Sequence, residues 1–287
     1  MDLYSKKQKE INRIKTRMLK NYPAIWSKII RQFQKPGSKD RAWLTYSANY
    51  LFRTKNVRWA IDPFTLKARL SAAEDVDIVS DLASLSFVLL THNHADHLDL
   101  GLIHALRETS IHWVVPFPML ENVINSGIKP ESIIVPETSV QIKIENMVIT
   151  PFDGLHFHKN KTGERLGVPA TGYLVEQEQK RWLFRGDTRN FQSDLVPSFG
   201  PVDMVCAHLW LGKASALLNS GWLLDKFCQF YLALNPERIT ITHLSELGRD
   251  ANDFWVVTHA KIIKTRFSEL SPETDIAIGL IGQQFDL

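Results

Sequence analysis

The run Thr91-His92-Asn93-His94-Ala95-Asp96-His97-Leu98-Asp99 packs four potential metal ligands into six residues. Neutral imidazole and carboxylate are donors for divalent zinc, manganese or iron. His92 and His94 are two apart, so an extended backbone projects both to one side. Asp96 and His97 follow where the chain turns toward a helix, and they can address a second spot a few Å away. A lone histidine is usually structural. Here only ten histidines occur in 287 residues, and chance places three of them with an aspartate in this pattern on the order of once in a thousand such chains. The cluster directly follows the apolar run Phe87-Val88-Leu89-Leu90. That is where a buried strand hands over to a loop able to carry chemistry.

The elements that must hold this cluster follow from periodicity and turn residues. Residues 4–33 have helical spacing, with Ile11, Ile14, Met18 and Leu19 near one face. Pro23 is expected to separate this helix from a second one bearing Ile25, Trp26, Ile29 and Ile30. Residues 35–38 read as a loop. Residues 43–52 and 57–61 predict a hairpin around Thr54-Lys55-Asn56. A helix is expected over 99–109, a strand over 113–115, and Pro118 suits the first turn of a short helix. Further hairpins are predicted from 140–144 with 147–150, and from 172–176 with 181–184. Then come a strand at 203–206, a helix at 214–234, a strand at 239–242, a helix at 253–269 and a last strand at 275–281. Two blocks of strands with helices around them imply an α+β chain with two sheets. The expected organisation is an N-terminal helical extension over 1–40 and one domain over 41–287.

Composition narrows the classes. Apolar residues make up 44% and charged residues 23%, which is globular rather than disordered. The formal net charge of +3 is too small to announce a nucleic-acid binder. The basic set Lys6, Lys7, Lys9, Arg13, Lys15, Arg17 and Lys20 is more often a solvated helix face than a contact surface. Membrane association is therefore not favoured. Cys206 and Cys228 cannot form a disulfide framework and read as buried, reduced thiols. No apolar run is long enough to span a bilayer, and the first residues lack the apolar stretch of a secretion signal, so a cytoplasmic location is expected.

The His-x-His-x-Asp-His pattern after an apolar strand resembles the signature of the metallo-β-lactamase superfamily. Later segments resemble the family's other motifs in the same order. Asp62, in Trp59-Ala60-Ile61-Asp62-Pro63, resembles its early aspartate. His156, in Pro151-Phe152-Asp153-Gly154-Leu155-His156, resembles its third histidine, with His158 as the alternative. Asp187, in Phe184-Arg185-Gly186-Asp187-Thr188, resembles its bridging aspartate, and His243, in Ile241-Thr242-His243-Leu244, its last histidine. The resemblance covers roughly residues 43–287. It implies a four-layer αββα sandwich and two divalent transition-metal ions, zinc first and manganese or iron as alternatives. It assigns His92, His94 and His156 to one ion, and Asp96, His97 and His243 to the other. Asp187 would bridge, and Asp62 would orient a ligand histidine. The implied activity is hydrolysis by a metal-bound hydroxide, with Asp96 and Asp187 at the catalytic centre.

Softer candidates surround that set. His208 could contact substrate or donate a proton, Glu246 could orient His243 or cap a helix, and Arg189 could pair an anionic substrate. His104, His112 and His259 read as structural or exposed. The Thr-His-x-His-x-Asp-His-Leu-Asp cluster with a Gly-Asp-Thr turn is similar to the branches of ascorbate-phosphate lactonase and N-acyl phosphatidylethanolamine phospholipase D. This favours a phosphodiester, phosphoester or lactone, as a small-molecule or lipid-like substrate. The alternative from a different class is a non-enzymatic metal-binding or sensor protein that keeps the fold.

Overall fold

Helix α1 (Leu3–Gln34) is one continuous element with Pro23 inside it, where two helices were expected. The computed structural model describes residues 2–37, 39–159, 163, 165–217 and 223–287. Pro23 removes one backbone hydrogen bond and costs about 3 kcal/mol in a helix interior. Packing on either side of it outweighs that cost. Tyr22 and Trp26 are both buried. The Tyr22 hydroxyl donates to the carbonyl of Thr45 at 3.2 Å, and the Trp26 indole N–H donates to Asp81 at 2.6 Å.

The chain divides into two compact units, residues 15–137 with 280–287, and residues 1–14 with 138–279. The first unit is built on a seven-stranded mixed sheet. Its strands are β1 (Arg41–Leu44), β2 (Tyr50–Thr54), β3 (Val57–Ile61), β4 (Phe87–Leu89), β5 (His112–Val114), β6 (Ile133–Ile134) and β16 (Gln284–Asp286), in the order β16-β1-β2-β3-β4-β5-β6. From β16 to β3 the pairing is antiparallel; from β3 to β6 it is parallel. Short helices α2 (Leu66–Arg69), α3 (Ile78–Leu82), α4 (Leu100–Ala105) and α5 (Leu120–Asn125) connect the parallel strands. Phe52 stacks on Trp59 at 3.9 Å between centroids, and Trp59 on Phe87 at 5.5 Å. This aromatic column crosses three adjacent strands and fixes their register.

The second unit holds another seven-stranded mixed sheet. Its strands are β7 (Ile142–Ile144), β8 (Met147–Asp153), β11 (Thr171–Gln177), β12 (Lys180–Phe184), β13 (Val202–His208), β14 (Pro236–Thr242) and β15 (Asp275–Ile278), in the order β15-β14-β13-β12-β11-β8-β7. Here β12 to β15 pair in parallel and β7 to β12 antiparallel. A two-stranded ribbon, β9 (His158–Lys159) with β10 (Arg165–Leu166), lies outside the sheet. Helices α6 (Leu224–Leu232) and α7 (Val257–Leu270) bury Phe227, Tyr231, Ile263 and Phe267 in the core of this unit.

Three differences from expectation have physical causes. The strand expected over 43–52 is two strands, because Thr45 to Asn49 closes a buried loop in which Thr45 N–H donates to Asn49 at 2.8 Å. The helix expected over 214–234 starts only at Leu224; residues 213–217 hold turns, and 218–222 lie outside the described residues. The last strand stops at Ile278. Gly282, at φ 82°, turns the chain so that β16 can pair with β1. Among the described residues, no helix is long and apolar enough to cross a membrane.

Trp26→Ala removes a buried indole and leaves Asp81 without its indole donor. We expect a loss of about 3–5 kcal/mol, read as a lowered denaturant midpoint. A midpoint within experimental error of wild type would show that α1 is not docked through Trp26.

Candidate metal centre

In both sheets candidate ligands leave the C-terminal ends of neighbouring parallel strands, whereas His156 follows an antiparallel strand, β8. In the first unit Asp62 follows β3, and Thr91-His92 follow β4. Open sheets deliver functional groups from this edge because the connecting loops splay there.

Asp62 is fully buried and organises the first cluster. Its carboxylate accepts the backbone N–H of Thr91 at 2.7 Å and also takes the Thr91 hydroxyl. The same carboxylate lies 2.8 Å from His97 Nδ1. An ionised carboxylate only accepts, so His97 Nδ1 carries the proton and Nε2 keeps its lone pair. The Thr91 hydroxyl spends its hydrogen on Asp62 and accepts from His92 Nδ1 at 2.9 Å. His92 Nε2 is then unprotonated as well. One aspartate thus sets the tautomers of two histidines, directly in His97 and through a hydroxyl in His92.

The remaining groups of the cluster sit close by. His92 Nε2 and His94 Nδ1 are 3.2 Å apart, with the rings nearly perpendicular. Donors at about 2.0–2.1 Å from one tetrahedral cation stand roughly 3.3 Å apart, so these two nitrogens fit a shared ion. A carboxylate oxygen of Asp96 lies within 4.8 Å of a ring nitrogen of His97. Asn49, which the sequence reading passed over, ties the loops together. Its amide donates to the carbonyls of Asp62 and Asp96, each at 2.9 Å. Asp99 caps α4 through the Leu102 N–H at 2.9 Å and also accepts from the backbone and hydroxyl of Thr65. Burial raises the Asp99 pKa.

In the second unit Asp187 follows β12 through Gly186 at φ 66°, His208 ends β13, and His243 follows β14. Asp187 is the buried hub. One carboxylate oxygen lies 3.0 Å from His208 Nδ1 and 3.5 Å from His243 Nδ1. A ring nitrogen of His156 lies within 4.8 Å of the same carboxylate group. Arg189 reaches within 3.7 Å of the other oxygen, and its guanidinium sits 4.2 Å over the Trp210 ring. Glu246 accepts the Gly248 N–H at 2.9 Å and pairs with Arg249 at 3.3 Å.

His156 is fully buried, whereas the side chain of its alternative, His158, lies outside the described residues. Gly154 packs against Ala170, where an added Cβ would stand 3.0 Å from the carbonyl oxygen. The closer backbone approach to His156 is made by Gly167, at φ 71°, where a Cβ would stand 2.0 Å from the His156 carbonyl. Arg185, just before the Gly-Asp turn, is fully buried between the rings of Phe152 and Phe230. Burial lowers its pKa to about 10. His104 lies 3.0 Å from the Ser126 carbonyl, and His112 is exposed on β5. His259 accepts from Val256 N–H at 3.0 Å and lies 3.0 Å from the Ala216 carbonyl, so both its ring nitrogens serve local packing.

Two mixed sheets, each offering a histidine–aspartate cluster from the ends of parallel strands, define a metal-binding α+β protein. Residues 58–244, more than half of the chain, match the family described as Beta-lactamase superfamily domain, and the chain belongs to that family, with the metallo-β-lactamase fold. Solved structures share the fold at low identity. CmlA, a diiron beta-hydroxylase from Streptomyces venezuelae, matches with a TM-score of 0.61 at 14% identity over 88% of this chain and 55% of its own. The present chain therefore spans about half the length of that protein. Igni18, a novel metallo hydrolase from Ignicoccus hospitalis, matches at 0.60 and 15% identity over 87% and 100%. An isothiocyanate hydrolase from Delia radicum gut bacteria matches at 0.56 and 16% over 86% and 98%.

Asp62→Asn keeps the side-chain volume but puts an amide against three donors. We expect metal affinity to fall ten- to a hundredfold, measured by competition with a chromogenic chelator. Unchanged affinity would remove Asp62 from the ligand-orienting role. Asn49→Ala leaves two buried carbonyls without their side-chain donor. We expect it to cost roughly 1–3 kcal/mol, read from thermal or denaturant unfolding.

Proposed function

We propose that the protein is a metal-dependent hydrolase acting on a phosphodiester or phosphoester. The observation that carries this reading is the set of contacts around Asp62, to His97 Nδ1 directly and to His92 Nδ1 through the Thr91 hydroxyl, which assigns the ring proton to Nδ1 in both histidines. A metal-ligating histidine almost always donates its other ring N–H to an acceptor of this kind. Residues His92, His94 and His156 would hold one divalent ion, and Asp96, His97 and His243 a second, with Asp187 between them. The ions would be zinc, with manganese or iron also fitting these donors. When bound, such ions supply Lewis acidity and a water of lowered pKa.

The chain's own residues supply positioning. Asp62 and Thr91 fix ring orientation in His92 and His97. His208, with Nδ1 beside Asp187, presents Nε2 as an acceptor when neutral, and as the imidazolium it can pass a proton from Nε2 to a leaving group. Arg189, flat against Trp210, offers a planar fork to an anionic oxygen. Its place beside Asp187 supports a phospho-substrate over an uncharged lactone.

The test is turnover of bis(p-nitrophenyl) phosphate and of a lactone series, with and without chelator, alongside metal analysis. We expect chelator-sensitive diester hydrolysis. His94→Ala should lose metal and activity together, and Arg189→Met should raise KM for the diester about tenfold while leaving metal content intact. Metal-replete protein inactive on every substrate would move the assignment to a binding or sensor role. Lactone turnover indifferent to Arg189→Met, with no diester turnover, would replace the phospho-substrate.

A further inference from the structure

The continuity of α1 through Pro23 lengthens a feature that two separate helices would have broken. Lys6, Lys9, Arg13, Arg17, Lys20, Lys28 and Arg31 are all exposed. At 100° per residue they fall within about 100° of one another, a single stripe running roughly 38 Å along the helix. The buried residues Ile11, Tyr22, Trp26, Ile29, Ile30 and Phe33 lie on the opposite side. None of the seven makes an ion pair among the described residues; the helix's one such pair, Lys7 with Glu10, uses a different lysine.

Charge is also partitioned along the chain. Residues 1–35 hold ten Lys and Arg against Asp2 and Glu10, a net +8. The whole chain carries only +3, so residues 36–287 carry −5. With net charge divided this way, the long-range field favours the approach of an anionic surface along α1 over the rest of the chain.

We propose that this face of α1 docks the protein on an anionic phospholipid bilayer. Each Lys or Arg held near such a surface adds to the attraction, and seven on one line suffice for reversible adsorption. The apolar face of α1 is committed to the core, so the helix lies on the headgroups rather than inserting. At the N-terminal end of the stripe Leu3 is 62% exposed. An exposed aliphatic side chain beside the basic stripe suits a lipid interface and has no counterpart on a phosphate polymer. This docking does not depend on the hydrolase reading.

The experiment is co-sedimentation of the metal-loaded full-length protein with vesicles of phosphatidylcholine alone and of phosphatidylcholine mixed with phosphatidylserine. Binding should appear only with phosphatidylserine and fade as salt shortens the screening length. Combining Arg13→Glu, Arg17→Glu and Lys20→Glu should lower partitioning more than tenfold with an unchanged melting temperature. Lys28→Glu with Arg31→Glu, made separately, should act in the same direction. Wild-type protein left in the supernatant, folded variants that partition like wild type, or tighter binding to duplex DNA than to the anionic vesicles at equal salt would each overturn the proposal.

Discussion

A fully buried carboxylate must find donors, and Asp62 finds its donors in the candidate metal-binding loop after β4. Thr91 contributes a backbone N–H and a hydroxyl, and His97 a ring N–H. Each of these bonds joins the end of β3 to the loop after β4. The cluster is thus fixed by the same interaction that holds two neighbouring parallel strands in register at their ends. Asp62 itself adopts φ 43°, a conformation that costs a non-glycine residue of order 1–3 kcal/mol. The hydrogen bonds over-determine that backbone and keep it there.

The second unit repeats the principle with a different hub. Asp187 gathers His208, His243 and His156, and it too stands at the end of a parallel strand. His243, at φ 64°, and Leu155, at φ 55°, share the left-handed backbone seen at Asp62. Non-glycine residues in this region are uncommon, and three of them belong to or adjoin the candidate ligands. Strained turns reorient side chains abruptly as strands end, and such a turn brings a histidine out of the sheet plane.

Much of this was legible in the sequence because it is local. The His92 to His97 cluster is contiguous, and the apolar run before it announces a strand. The hairpins β2–β3, β7–β8 and β11–β12 announce themselves by polar turns between alternating segments. What escaped depends on distant contacts. Asn49 reads as an ordinary polar residue in a strand, and only its placement across from the carbonyls of Asp62 and Asp96 gives it a role. Pro23 reads as a helix breaker, and only the burial of Tyr22 and Trp26 explains why it breaks nothing. The strand β16 is three residues long and pairs with β1 across almost the whole sequence, beyond any local signal. Gly167 reads as loop composition, and its need is visible only against the His156 carbonyl. Asp62 was accessible as a motif, whereas Thr91 as the hydroxyl linking it to His92 was not.

The metal ligands alone do not choose a reaction, since the same fold serves a diiron hydroxylase and several hydrolases. Selectivity has to come from the groups that border the cluster. Arg189 is the informative one. An arginine placed only to neutralise Asp187 would approach it as a fork at about 2.8 Å. Its approach is instead 3.7 Å, and the guanidinium lies 4.2 Å over Trp210. Stacking on an indole holds the planar cation in place beside Asp187. With a side chain only 9% exposed, a desolvated cation of this kind favours a charged oxygen far more than a neutral carbonyl. Under the phospho-substrate proposed above, that difference would separate a phosphodiester from a lactone at an otherwise similar histidine–aspartate cluster.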